Sequence, residues 1–231
     1  SSAGMLRWDI GSVSHLSQQW FWFRNSLDGY NGREYSLDEI SAASVNQILP
    51  NIARIKYAEP RLSIDVTYLL VSGAGLASAD ITEIVKIANL TDDEITFSFF
   101  QYSNFDLGGD ADDDSIEITG GNTVLQSDGG GHTLSETVVS NHPDLSEVGV
   151  APATLAKLTD GDANDLDGTA SIMGPSDLTW AFEWKDRVIG GRETLVITKD
   201  KLIASTPIPE PGPAALLTFA LAGMARTRRR A

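Results

Sequence analysis

Apolar and polar residues alternate with a period of two along much of this chain, and short clusters of turn residues interrupt the alternation. Leu62, Ile64, Val66, Tyr68 and Leu70 fall on one face of an extended segment and Ser63, Asp65 and Thr67 on the other, before Leu69 and Val71 make its end apolar on both sides. Ile81, Glu83, Val85 and Ile87 then alternate with Thr82, Ile84 and Lys86. After the polar turn at 89–93, Ile95, Phe97 and Phe99 alternate with Thr96, Ser98 and Phe100, so the pair reads as two antiparallel strands. Shorter strands are expected at 115–119, 123–127 and 133–139, split by Gly120-Gly121-Asn122 and Asp128-Gly129-Gly130-Gly131. A last hairpin is expected from 178–185 and 193–199 around Ile189-Gly190-Gly191. Strands at this spacing with glycine-rich turns predict an all-β fold, a single antiparallel β-sandwich of jelly-roll or Ig-like type.

Helical signals are few. Ser36-Leu37-Asp38-Glu39 has the form of a capping box, and Leu37, Ile40, Ser44 and Ile48 follow at near-helical spacing, which makes 36–48 a candidate helix. Residues 151–158, with Pro152 near the start and Asp160-Gly161 after the end, are a second short candidate. The run Trp20-Phe21-Trp22-Phe23 is apolar on both faces of a strand, as in a central strand buried on both sides. Trp180, Phe182 and Trp184 share one face, with Glu183 and Lys185 opposite.

Charge and composition narrow the function classes. The 231 residues carry a formal net charge of −15 although four arginines sit at the extreme C-terminus, so the rest of the chain is more acidic still. Such a surface repels nucleic acid, which is excluded as a partner. The absence of cysteine excludes disulfides, a cysteine-ligated zinc and a thiol nucleophile. A body of roughly 200 residues can bury enough apolar surface in one core without such staples.

The last residues have a different grammar. Pro209-Glu210-Pro211 is followed by an uncharged segment, 212–225, and then by Arg226, Arg228, Arg229 and Arg230. As a helix the uncharged segment reaches about 21 Å at ~1.5 Å per residue, short of the ~30 Å hydrocarbon core of a bilayer. It is a marginal anchor, and the arginines hold its end on the cytoplasmic side. The two prolines keep the preceding residues extended, a shape that an enzyme's cleft can grip. This triplet, apolar run and arginine cluster resemble the PEP-CTERM sorting signal of Gram-negative bacteria. The resemblance implies export, recognition by a membrane-embedded exosortase, cleavage near the triplet, and delivery to the cell envelope or an exopolysaccharide (biofilm) matrix. The body is similar to exported proteins carrying that signal, through a Gln-Gln-Trp-Phe-Trp opening at 18–22 and an Asp-Leu-Thr-Trp-Ala-Phe-Glu-Trp segment at 177–184. That likeness implies no biochemical activity. The expected division is a β-sandwich body at 1–204, a proline-rich linker at 205–208, and a sorting signal at 209–231 with a short transmembrane helix that is inserted in the inner membrane before processing. An exported chain also needs a signal peptide, expected upstream of Ser1.

Candidate chemistry in the body is sparse. Of His15, His132 and His142, the last two stand beside glycine or proline and are expected in solvated loops, and no nucleophile elbow, H-E-x-x-H or phosphate-loop pattern occurs. No catalytic residue is assigned and no cofactor is expected. Asp160, Asp162, Asn164 and Asp167 place oxygen ligands in a spacing that could wrap calcium, but Asp165 stands where an EF-hand loop needs glycine and Ser171 where it needs glutamate. Trp20, Trp22, Trp180 and Trp184 could form a carbohydrate-binding platform, although core packing uses aromatics more often. The sequence thus predicts a non-enzymatic exported envelope or matrix protein. A surface carbohydrate-binding module and an extracellular polysaccharide hydrolase are the alternatives.

Overall fold

The computed structural model describes residues 4–72, 77–169 and 173–205. The expected linker beyond Ser205 and the whole sorting signal lie outside the described residues.

Among the described residues, sixteen strands run in chain order. They are β1 (Asp9–Ile10), β2 (Val13–Ser14), β3 (Gln18–Asn25), β4 (Tyr35–Ser36), β5 (Ser44–Leu49), β6 (Ile52–Ala58), β7 (Leu62–Ser72) and β8 (Ser78–Asn89). There follow β9 (Ile95–Asn104), β10 (Asp114–Thr119), β11 (Thr123–Ser127), β12 (His132–Ser140), β13 (Leu145–Val150), β14 (Met173–Ser176), β15 (Leu178–Ile189) and β16 (Thr194–Ser205). A nine-stranded sheet has the order β14-β10-β11-β12-β16-β8-β7-β6-β5 and a five-stranded sheet the order β13-β15-β9-β3-β4, while β1 and β2 pair alone. The pairings are antiparallel. The all-β expectation holds.

The two sheets share one apolar core. From the five-stranded sheet, Phe21, Phe23, Phe97, Phe99, Trp180, Phe182 and Trp184 enter it, all fully buried. Phe21 stacks on Phe99 with ring centroids 5.4 Å apart, and Phe23 on Phe97 at 5.7 Å. Ile64, Val66, Val85, Ile87, Val138, Ile197 and Ile203 supply the facing side of the nine-stranded sheet. Period-two alternation is therefore the pattern of strands with one face toward a core.

The strand pairing corrects two expected hairpins. β8 and β9 do not pair with each other but lie in different sheets, and so do β15 and β16. Their connections cross from one sheet to the other and touch. The Asn89 side-chain amide donates to the carbonyls of Asp93 at 2.7 Å and of Ile189 and Gly190 at 3.0 Å. A Cβ on Gly191 would lie 1.9 Å from the Asp92 carbonyl oxygen, so only glycine permits that approach. Within the nine-stranded sheet, β10, β11 and β12 form the expected meander.

The helical expectations also change. The capping-box segment makes only a 3-10 turn at Leu37–Glu39, where Glu39 Oε1 accepts from the Ser36 amide at 2.9 Å. Residues from Ser44 onward join the edge strand β5 instead, because Val45 and Ile55 can pair across β5 and β6. The second candidate forms α1 (Ala153–Lys157), which packs near β13 and β15. No helix among the described residues is long and apolar enough to cross a membrane.

Candidate functional site

The unequal width of the sheets creates the site. β5 is exposed along its whole length, and the inward face of β5–β7 continues beyond the β3–β4 edge of the smaller sheet. On that overhang, Val45 pairs with Ile55, and Tyr57 and Tyr68 point to the same side. The result is a cleft of about 480 Å³ lined by Gly4, Met5, Trp20, Asp38, Ala43, Val45, Ile55, Tyr57 and Tyr68. A smaller depression of about 200 Å³ shares Tyr68 and continues past Ala53 and Leu70.

Each polar group in the cleft has a defined position. Trp20 Nε1 donates to Ser36 Oγ at 2.6 Å, and the Ser36 hydroxyl donates in turn to Asp38. Tyr57 meets the Trp20 indole edge-on, with centroids 6.0 Å apart and an interplanar angle of 81°. Burial and then the Asp38 charge push the Tyr57 phenol up, so it remains a neutral donor. Burial lifts the Tyr68 phenol well above its ordinary value. Met5 is fixed beside β3 by reciprocal backbone bonds with Gln19 at 2.9 and 2.8 Å. The cleft thus offers an indole edge, two phenols, apolar walls and one carboxylate. Such groups can stack on and hydrogen-bond to a polyhydroxylated ring. A glycosidase needs two carboxylates flanking the scissile bond, and among the described residues Asp38 is the one carboxylate that lines this cleft.

The expected aromatic platform is corrected in three of its four members. Trp22, Trp180 and Trp184 are closed off inside the protein at 2, 0 and 0 % exposure, because Trp180 and Trp184 face the opposite sheet and Trp22 packs edge-on against Tyr102 at 6.3 Å. Trp20, 6 % exposed, contributes to the cleft by its ring edge. Tyr57, Tyr68, Val45 and Ile55 were not singled out from sequence. Their alternation resembled that of any half-buried strand, and only the missing cover strand makes them a surface.

The calcium candidates bond within their own loop or to a protein cation. Asp160 accepts from the Asn164 side-chain amide at 3.0 Å and from the Asp162 backbone at 2.9 Å, while Asp167 pairs with Lys157 at 2.9 Å. The loop is pinned by protein cations instead. Arg24 bonds the Asn164 carbonyl at 2.7 Å and pairs with Glu34 at 2.6 Å and with Asp165. Among the described residues no group of three acidic or histidine side chains could hold a metal ion. His15 is buried, accepts from the Gly108 amide at Nδ1, 3.1 Å away, and lies 5.0 Å from the His132 ring. Its pKa is pushed down by burial and then by His132. Pro209, Glu210, Pro211, Arg226, Arg228, Arg229 and Arg230 lie outside the described residues.

A second polar constellation is sealed between the sheets. Glu83 on β8, Glu136 on β12, and Lys199 and Lys201 on β16 are all 0 % exposed. Register assembles them, since Lys199 stands opposite Glu83 and Lys201 opposite Glu136. Lys201 Nζ lies 2.9 Å from Glu83 Oε2 and 3.4 Å from Glu136 Oε2, and Lys199 Nζ contacts Glu83 and lies 3.8 Å from Glu136 Oε1. The smaller sheet adds Gln19, which donates to Glu83 at 2.7 Å, and Gln101, which donates to Glu136 at 2.9 Å. Burial opposes the charge on Glu83, but Lys199 and Lys201 hold its pKa down at about 2. Burial pushes Glu136 up and Lys199 down, while at Lys201 burial is outweighed by Glu136 and Glu83, which raise its pKa.

No family profile and no curated protein matches the sequence. Among solved structures, a bacterial glucoamylase complexed with acarbose is similar over 90% of this chain, at 8% identity and a TM-score of 0.55. The chain spans 29% of the length of that glucoamylase. A GalM/aldose epimerase homologue from C. elegans is similar over 82% of each chain, at 9% identity and a TM-score of 0.44. At this identity the likeness to the glucoamylase concerns the fold alone.

Proposed function

We propose that this chain is a non-catalytic, carbohydrate-associated protein of the cell envelope or exopolysaccharide matrix, built as one β-sandwich and delivered by its C-terminal sorting signal. The cleft at Trp20, Tyr57, Tyr68 and Asp38 carries the carbohydrate part of this reading, because it joins aromatic walls to fixed hydrogen-bonding groups. The fold it shares with part of a glucoamylase solved in complex with acarbose is consistent with a sugar-facing module. A single carboxylate in the cleft favours binding over hydrolysis. Titrating the purified protein with oligosaccharides from bacterial exopolysaccharide, followed by tryptophan fluorescence and calorimetry, tests this. Saturable binding that Tyr57→Phe weakens is expected. Release of reducing ends would instead favour the hydrolase, and no binding to any glycan would remove the carbohydrate reading.

Delivery rests on the resemblance of 209–231 to the exosortase signal. Replacing Pro209, Glu210 and Pro211 by alanine should leave the body folded and abolish delivery to the cell surface, read by fractionation and circular dichroism. Unchanged surface delivery of the alanine variant would overturn the sorting assignment.

A further inference from the structure

The sealed constellation contains one contact that ion pairing does not require. Lys199 Nζ touches Gln101 Oε1, the carbonyl oxygen of a primary amide. The same amide is held from its other end, where Gln101 Nε2 donates to Glu136 Oε1 at 2.9 Å. The Phe21 ring lies 4.8 Å from Nζ and helps to shut out water. Lys199, Gln101 and Glu136 are all 0 % exposed. A buried amine against a carboxamide, with a carboxyl bonded to the amide and 3.8 Å from the amine, holds the groups that transamidation without a cofactor uses.

We propose that Lys199 and Gln101 become joined by an intramolecular isopeptide bond, with Glu136 as the proton shuttle. The Lys199 nitrogen attacks Gln101 Cδ and forms the new C–N bond. Glu136, protonated at the outset, gives its proton to the departing Nε2, with which it is in hydrogen-bond contact, and takes one from Nζ. The bond from Cδ to Nε2 then breaks, ammonia leaves, and Glu136 returns to its starting state. Two electrons move with each bond formed and broken, and no oxidant, metal or co-substrate enters. Burial favours the neutral amine of Lys199 and the protonated form of Glu136, the states such a shuttle uses. Lys201 stays paired with Glu83 at 2.9 Å and supplies the counter-charge that keeps Glu83 ionised.

The position suits a staple. Gln101 lies on β9, the middle strand of the five-stranded sheet, and Lys199 on β16, the middle strand of the nine-stranded one. The bond would tie sheet to sheet at the centre of the core, in a chain that has no cysteine for a disulfide. It depends on neither carbohydrate binding nor sorting.

The test is the intact mass of the folded full-length chain measured under denaturing conditions, with peptide mapping. The expected result is a mass below the sequence value by one ammonia, and a branched peptide joining the segments that contain Gln101 and Lys199. Lys199→Arg and Glu136→Gln should each restore the unmodified mass. A wild-type chain at full sequence mass, after prolonged incubation in its folded state, overturns the proposal even if the variants fail to fold. Loss of one water instead also overturns it, because that would mark a bond from lysine to a glutamate.

Discussion

The two halves of the nine-stranded sheet solve opposite problems with the same alternating pattern. Over β12, β16 and β8 the inward face is covered by the smaller sheet, and there the chain buries Glu83, Glu136, Lys199 and Lys201. Over β5, β6 and β7 cover is incomplete, and there it places Tyr57, Tyr68, Ile55 and Val45 around an open cleft. Four charged residues thus sit among buried apolar ones where water is absent, and apolar side chains such as Val45 border a cleft that water can enter. Neither choice is the cheapest for folding, since a buried ion pair repays its desolvation only with excellent geometry and exposed apolar surface is a cost unless something binds it. The covered half carries the internal chemistry and the overhang faces outward.

The largest effect should come from breaking the covered half. Lys201→Met removes one of the two amines that reach both Glu83 and Glu136, and should cost about 3–5 kcal/mol in chemical denaturation. A loss under about 1 kcal/mol would show that the cluster is hydrated or its members neutral.

A smaller effect concerns pH and lies at other buried carboxyls. Asp114 is raised to about 8 by burial, with the nearby charges of Asp106, Asp113 and Asp128 adding to the shift. Glu183, on the face of β15 opposite Trp184, is raised to about 8 by burial, with Asp165 adding to it. Between their ordinary carboxylate range and about pH 8 the folded chain therefore holds more protons than the unfolded one. Stability should fall as pH rises through that window. Thermal melts from pH 5 to pH 8 should show the decline, and Asp114→Asn should flatten it (about one proton fewer released). A melting temperature that rises over this range would contradict the assignment.

The smallest effect on stability, and the most selective on binding, belongs to the overhang. Val45 is 67% exposed, so Val45→Lys should change stability by no more than about 0.5 kcal/mol. It should nevertheless weaken glycan binding about tenfold, or ~1.4 kcal/mol, by placing a hydrated cation on the cleft wall. Equal affinity in calorimetry would move the binding surface elsewhere. The depression of about 450 Å³ on the outer face, with Glu117, Leu125 and Leu202, would then be the next place to probe.

Much of the fold was legible from alternation, and the misreadings have a common cause. The expected hairpins of β8 with β9 and of β15 with β16 failed because a short polar turn looks the same whether it reverses a strand within a sheet or passes it to the opposite one. The glycines at 190–191 were read as a tight hairpin turn, whereas Gly191 in fact permits one crossover to touch the other. The helix expected across 36–48 stopped after one turn because β-pairing with β6 claimed Ser44 to Leu49. Of the site, Trp20 was foreseen and the two tyrosines were not.

By itself the sequence determined the class of the body, the strands at 62–71, 115–119, 123–127 and 133–139, the acidic character, and the order of proline triplet, uncharged run and arginines at the C-terminal end. These are local properties, set by the period of side chains along a strand and by the order of residues at an end. Only the tertiary structure decided which sheet each strand joins, that one sheet outgrows the other to leave a cleft, and that Lys199 meets Gln101 across the core. Those features depend on residues far apart in the chain, and pairwise proximity at long range leaves no periodic trace in a single sequence.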